Sequence, residues 1–356
     1  MKNLWYSIVS IVIISSILIF MTYQLNTKNH HSTKSSITIF NWGEYIDPAL
    51  LKQFEQQTGI QVIYETFDAN ESMLTKIEQG GTTYDIAIPS EYMIEVMQEK
   101  SLLQPLQKDL LSNIKHIDPY FLNLPFDPHN QYSIPYFWGT VGIAYNPTLL
   151  DGQTFTSWDH LWDPSLRNEI LLVDSAREVM GMGLNSLHYS LNSIDHQELE
   201  AAAHKLYQLK PNVKAVIGDE GVQLMIQNEA SVALTWSGQA AQMMDENDEI
   251  EYVIPEEGSN IWFDNIVIPT TASNIEGAHA FINFLLDPKV AAQNAEYVGY
   301  ATPNLTALQY IEDEIVSDER FYPKETVRQR LEVYRNLGLQ HLGVYNEYFL
   351  AFKMAK

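Results

Sequence analysis

The chain has 356 residues, 46% of them hydrophobic, enough to build two packed domains. Acidic residues number 45 against 21 basic ones, and the resulting net charge of -24 repels nucleic acid and anionic lipid surfaces while suiting a cationic partner. There is no cysteine, which excludes disulfides, thiolate metal sites, cysteine nucleophiles and lipidation at cysteine.

The first element is the uncharged run from Leu4 to Tyr23, preceded by Lys2. It matches the roughly 20 apolar residues that span a bilayer and exceeds the roughly 7–15 of a signal-peptide core. No small-x-small cleavage site follows, so the reading favours an uncleaved anchor with Lys2 inside over a cleaved signal. Gln24 to Ser36 is polar and aperiodic and is expected to be a flexible linker, with His30 and His31 as polar filler rather than metal ligands. Ile37 to Asn41 then reads as a strand. Asp47-Pro48 reads as a helix start, and Gly59 ends that helix. Ile60 to Phe67 is the next strand. Asn70 is expected to cap a helix closed by Gly80-Gly81, and Tyr84 to Pro89 is a third strand. This alternation predicts α/β layering on a largely parallel sheet.

The same pattern returns later. Glu169 to Asp174 runs into a helix from about Ala176. Ser231 to Trp236, a segment from Glu251, and Ile261 to Pro269 are further strands, the last leading to a helix near Glu276. Gly139 to Pro147 and Phe263 to Thr271 are long extended stretches without helix. They are expected to be two crossings between discontinuous lobes, with the last helices returning to cover one lobe.

In open α/β sheets, ligands lie outside the carboxyl ends of the strands. The residues there form a consistent set. Trp42, Glu44 and Tyr45 follow the first strand, and Ser90, Glu91 and Tyr92 follow the third. Asp174, Ser175, Arg177 and Glu178 follow the fourth. Trp236 ends a strand, Trp262 and Asp264 begin a crossing, and Tyr300 lies in a turn. Taken singly, a strand-end Trp usually packs and an exposed Glu usually only solvates; Arg177 beside Glu178 reads as a surface pair. Together they have a chemical meaning. Aromatic faces attract cations by about 0.5–2 kcal/mol and cover methylenes, and carboxylates accept charge-assisted hydrogen bonds from ammonium groups. A polyamine matches all three features.

With these residues in hand, the chain resembles the substrate-binding proteins of spermidine/putrescine ABC transporters from about Ile37 nearly to the C-terminus. The resemblance rests on blocks such as "FNWGEYIDPALLKQFEQQTGI", "YDIAIPSEY", "LLVDSAREVMGMGL", "IWFDNIVIP" and "YATPN". It implies a two-lobed periplasmic-binding-protein fold of type II behind an N-terminal hydrophobic helix. The expected division is 1–36 anchor and linker, 37–141 with 264–326 as lobe 1, and 142–263 with 327–356 as lobe 2. The resemblance also implies the ligand set: Trp42 and Tyr45 as an aromatic pair, Ser90 and Tyr92 as Ser-x-Tyr, Glu178 and Asp264 as ammonium partners, and Trp236, Trp262 and Tyr300 as walls. Two departures stand out. Ser175 occupies a position where the best-known members carry aspartate, so the site loses a negative charge unless Glu44 compensates, and the preference for spermidine over putrescine is expected to narrow. The glutamine expected near the C-terminal end is matched only by Gln340.

The implied role is a monomeric, extracytoplasmic binding protein with no cofactor and no catalysis, partnered by an ABC permease and ATPase. A polyamine sensor signalling through the membrane helix, or a binder of another small cation, is the alternative; a sugar or iron ligand would want a different residue set. Enzyme signatures are weak. Ser112-x-x-Lys115 lacks the companions of its hydrolase motif, and the glycine run from Gly181 is one glycine short of a dinucleotide fingerprint and lies within a helix pattern.

Overall fold

The computed structural model describes residues 35–355; the run Leu4–Tyr23 and His30–His31 lie outside the described residues. In chain order it begins with β1 (Ser36–Trp42), α1 (Pro48–Thr58), β2 (Gln61–Phe67), α2 (Asn70–Gln79), β3 (Ile86–Ala87) and α3 (Glu91–Glu99). A second group follows: β4 (Ser133–Tyr145), β5 (Ile170–Val173), α4 (Ala176–Asn185), α5 (His196–Leu209), β6 (Val213–Ile217), α6 (Glu220–Ile226), β7 (Val232–Trp236), α7 (Ser237–Glu246) and β8 (Glu251–Val253). The chain returns through β9 (Ile261–Val267), α8 (Ile275–Leu285) and α9 (Pro288–Val298), then ends on a long helix, α10 (Gly338–Met354).

Local chemistry sets many of these boundaries. The Asp47 side chain accepts the Ala49 N–H at 2.8 Å, Pro48 takes the first helical position, and Gly59 at φ 73° ends α1. The same grammar recurs at Asp287-Pro288 and Gly299 around α9. Asn70 departs from its expected role. It is the first residue of α2 and makes no cap bond, because its amide bridges instead to Ser90 and Tyr92. The expected strand Tyr84–Pro89 is ladder-paired only at Ile86–Ala87. The linker expected to run to Ser36 stops earlier. Ser36 already pairs with Gln61 in β1–β2, and the Ser35 carbonyl accepts the Gln61 N–H at 2.8 Å.

The strand order is β2-β1-β3-β9-β4-β7-β5-β6, with β8 added on β4. β1 is parallel to β2 and β3, and β5 is parallel to β6 and β7. The expectation of a largely parallel sheet needs correction, because β4 and β9 run antiparallel to their neighbours. The reason is connectivity: β4 carries the chain out of the first group and β9 carries it back. β4 pairs with β9 from Ser133 to Thr140 and with β7 from Val141 to Tyr145, so one strand serves both groups. Every residue of β4 and β9 is buried. Both of the expected extended stretches begin within these two strands. α10 covers the second group, where the Tyr345 hydroxyl donates to the carbonyls of Leu191 and Ser193 and Lys353 pairs with Asp174 at 2.6 Å.

Candidate functional site

The site is assembled around β9. Pairing of Gly139 with Trp262, and of Phe137 with Asp264, sets their positions beside β4. Ser90, at the N-terminus of α3, bridges to Asp264. Its hydroxyl donates to Asp264 Oδ1 at 2.7 Å, and the Tyr45 hydroxyl donates to Oδ2 at 2.7 Å. Asp264 is therefore a buried carboxylate held by two hydroxyls from distant parts of the chain. Burial pushes its pKa up to about 6, against the pull of Ser90 and Tyr45.

The aromatic residues close round this carboxylate. Tyr45 meets Tyr300 edge-on at 5.6 Å between ring centroids, and Tyr300 meets Trp262 edge-on at 5.0 Å. Two glycines permit this. A Cβ on Gly139 would lie 2.5 Å from the Trp262 ring, and one on Gly238 would lie 2.2 Å from the Tyr300 ring. The indole N–H groups of Trp42 and Trp262 are buried without a partner among the described residues. Trp42 packs on Phe67 at 4.5 Å.

From the second group of elements, α4 presents Glu178. It is buried and accepts the Tyr334 hydroxyl at 2.7 Å. Burial pushes its pKa up to about 7, opposed by the Tyr334 hydroxyl, the Arg177 charge and the Trp236 indole. Arg177 is more than the surface pair expected. Its guanidinium lies over the Tyr334 ring at 4.1 Å and donates to Asn192 at 2.9 Å, which fixes the tyrosine that holds Glu178.

Some expected site residues take other places. Glu44 is exposed on a turn at φ 49°, directly before the buried Tyr45. Ser175 is half-buried at the start of α4, and Asp174 turns away to Lys353. Tyr92 is partly exposed, its hydroxyl accepting from Asn70 at 3.0 Å. Gln340 is exposed in the first turn of α10; Tyr334 is the residue of that C-terminal region that reaches the cluster.

Three participants carried no ligand role in the sequence reading: Glu91, named only for its place after the third strand, Asn70, read as a helix cap, and Tyr334. Glu91 is 0% exposed at the first position of α3. Its Oε2 accepts the Phe263 N–H at 2.9 Å, and its Oε1 is buried without a partner among the described residues. Burial pushes its pKa up to about 8, reinforced by the charges of Asp264 and Glu178 and opposed by the Phe263 N–H. The one signal available was its place inside the Ser90–Tyr92 block.

Comparison with known proteins bears on this geometry. Residues 49–323 match the model of the bacterial extracellular solute-binding protein family. The spermidine/putrescine-binding periplasmic protein of Escherichia coli is 39% identical over 92% of this chain and 94% of its own length. A solved protein of Listeria monocytogenes is 58% identical with a TM-score of 0.86, covering 90% of this chain and all of its own. The spermidine/putrescine ABC transporter substrate-binding protein of Streptococcus pneumoniae, solved with calcium and HEPES, is 54% identical with a TM-score of 0.83, covering 90% of this chain and 99% of its own.

Proposed function

Since this chain belongs to the bacterial extracellular solute-binding protein family, we propose that it captures polyamines, spermidine and putrescine, outside the cytoplasm and delivers them to the permease of an ABC transporter. The observation that carries this reading is the occurrence of two buried carboxylates, Asp264 on β9 and Glu178 on α4, with a wall of aromatic rings at Tyr45, Trp262 and Tyr300. A dicationic chain of methylenes satisfies such a site at both ends and along its length. The ligand set comprises Trp42, Tyr45, Ser90, Tyr92, Glu178, Trp236, Trp262, Asp264 and Tyr300, with Ser175 at its edge. Glu44 and Gln340, being exposed, are left outside it.

Segments 37–141 and 264–326 form lobe 1, and 142–263 with 327–356 form lobe 2. The switch of β4 from β9 to β7 at Val141, and the packing of α10 on the second group, support this division. The protein acts as a monomer without catalysis, and the uncharged run Leu4–Tyr23 holds it at the membrane. The decisive experiment is calorimetric titration of residues 35–356 with spermidine and putrescine, with a sugar as control. One-to-one heats with the polyamines and none with the sugar are expected. Absence of both heat and thermal stabilisation with either polyamine refutes the proposal.

A further inference from the structure

We propose that Glu91 is the third carboxylate of the cation site, placed to balance the additional ammonium that distinguishes a triamine from a diamine. The inference deepens the polyamine reading and rests on it. Charge counting motivates it. Asp264 and Glu178 supply two negative charges, enough for a dication, while Ser175 adds none and Glu44 faces solvent. A trication in a closed cleft needs one more, because an uncompensated buried charge is costly.

Glu91 meets the requirement on three observations. Its carboxyl group is fully buried, yet only one oxygen has a partner among the described residues. That partner is the Phe263 N–H, directly beside Trp262 and Asp264 on β9, so the side chain is anchored against the site wall. The charges of Asp264 and Glu178 both bear on it. A group present only to cap Phe263 would not need a second buried oxygen. An amide or a hydroxyl would satisfy that N–H without a charge to desolvate.

Asp264 and Glu178 raise the cost of ionising Glu91, the Arg177 charge bears on Glu178 and Tyr92, and Tyr92 follows directly in the chain. Without ligand, Glu91 is held largely protonated. The arriving third ammonium takes the place of that proton and pairs with the free oxygen.

The test is Glu91→Gln in the otherwise intact protein, titrated with spermidine and putrescine at identical salt and pH. The amide oxygen keeps the bond from Phe263 N–H and removes only the charge. Spermidine affinity should fall by about tenfold or more, with putrescine affinity changed by less than about threefold. An equal loss for both ligands, or no loss for either, overturns the assignment. A wild-type protein that binds neither polyamine overturns the functional reading itself, and this assignment with it. The second measurement uses only the wild type and stands even if the variant does not fold. Calorimetry in buffers of different ionisation heat should show spermidine releasing about one more proton than putrescine near pH 7. Equal proton release overturns the assignment.

Discussion

Asp264→Asn separates binding from folding, because the two effects carry opposite signs. In the ligand-free protein the Asp264 carboxyl is raised from 3.8 to about 6 by burial. Two pKa units at about 1.4 kcal/mol each mean that the ionised form costs about 3 kcal/mol near pH 8 relative to the same group in water. Asparagine has nearly the same shape and carries no charge. Its oxygen accepts from one of the two hydroxyls, and the other hydroxyl turns to accept from the amide, since Tyr45 and Ser90 can each donate or accept. The ligand-free variant at pH 8 should therefore melt no lower than wild type, and as much as several degrees higher. Polyamine binding should weaken at the same time. Breaking a desolvated charge pair costs about 2–5 kcal/mol, so both dissociation constants should rise by at least about thirtyfold. The assays are thermal melts without ligand and calorimetric titrations with spermidine and putrescine. A variant that melts markedly lower without ligand while keeping wild-type affinity would show that Asp264 is a structural group and that the cation pairs elsewhere.

Two further outcomes follow from the same geometry. Asp264, Glu178 and Glu91 hold pKa values of about 6, 7 and 8 in the fold, all above ordinary carboxyl values. The folded state thus keeps protons that the unfolded chain has already lost, and the stability this contributes is full below about pH 4 and is lost as pH rises through 6 to 8. Ligand-free melting temperature should fall over that range, less steeply in Glu91→Gln, while polyamine affinity rises; an affinity independent of pH between 5.5 and 8 refutes the assignment of buried carboxyls as cation partners. Ser175→Asp should shift the ratio of dissociation constants toward spermidine most strongly in the Glu91→Gln background, by something on the order of 1 kcal/mol, and less in wild type. A ratio that does not move in either background would mean that residue 175 does not face the ligand.

How much of this was legible in the sequence follows the range of the interactions concerned. Helix starts at Asp47-Pro48 and ends at Gly59 are made by groups within a few residues, so the local sequence determined them. Most strand positions were readable as well, because alternating patterns mark where strands finish, although β3 pairs over Ile86–Ala87 alone. Asn70 shows where local reasoning fails: its cap propensity yielded to partners 20 and 22 residues away, Ser90 and Tyr92. The mixed sheet depended on which direction the chain runs through β4 and β9, a matter of connectivity between groups rather than of any segment's propensity. The sharpest division lies between two glutamates. Glu44 and Glu91 both follow a strand and stand beside aromatic residues, and no local pattern ranks one above the other. The tertiary structure leaves Glu44 in water on a left-handed turn and buries Glu91 against Phe263, 172 residues further along the chain. Tyr334 reaches Glu178 across 156 residues, while Gln340 faces solvent. Residue type and order determined that carboxylates and rings would gather at the strand ends. Which of them lose their water, and so gain the strength to hold a cation, was decided only by the packing of β9 between the lobes, because desolvation is a property of everything that surrounds a group.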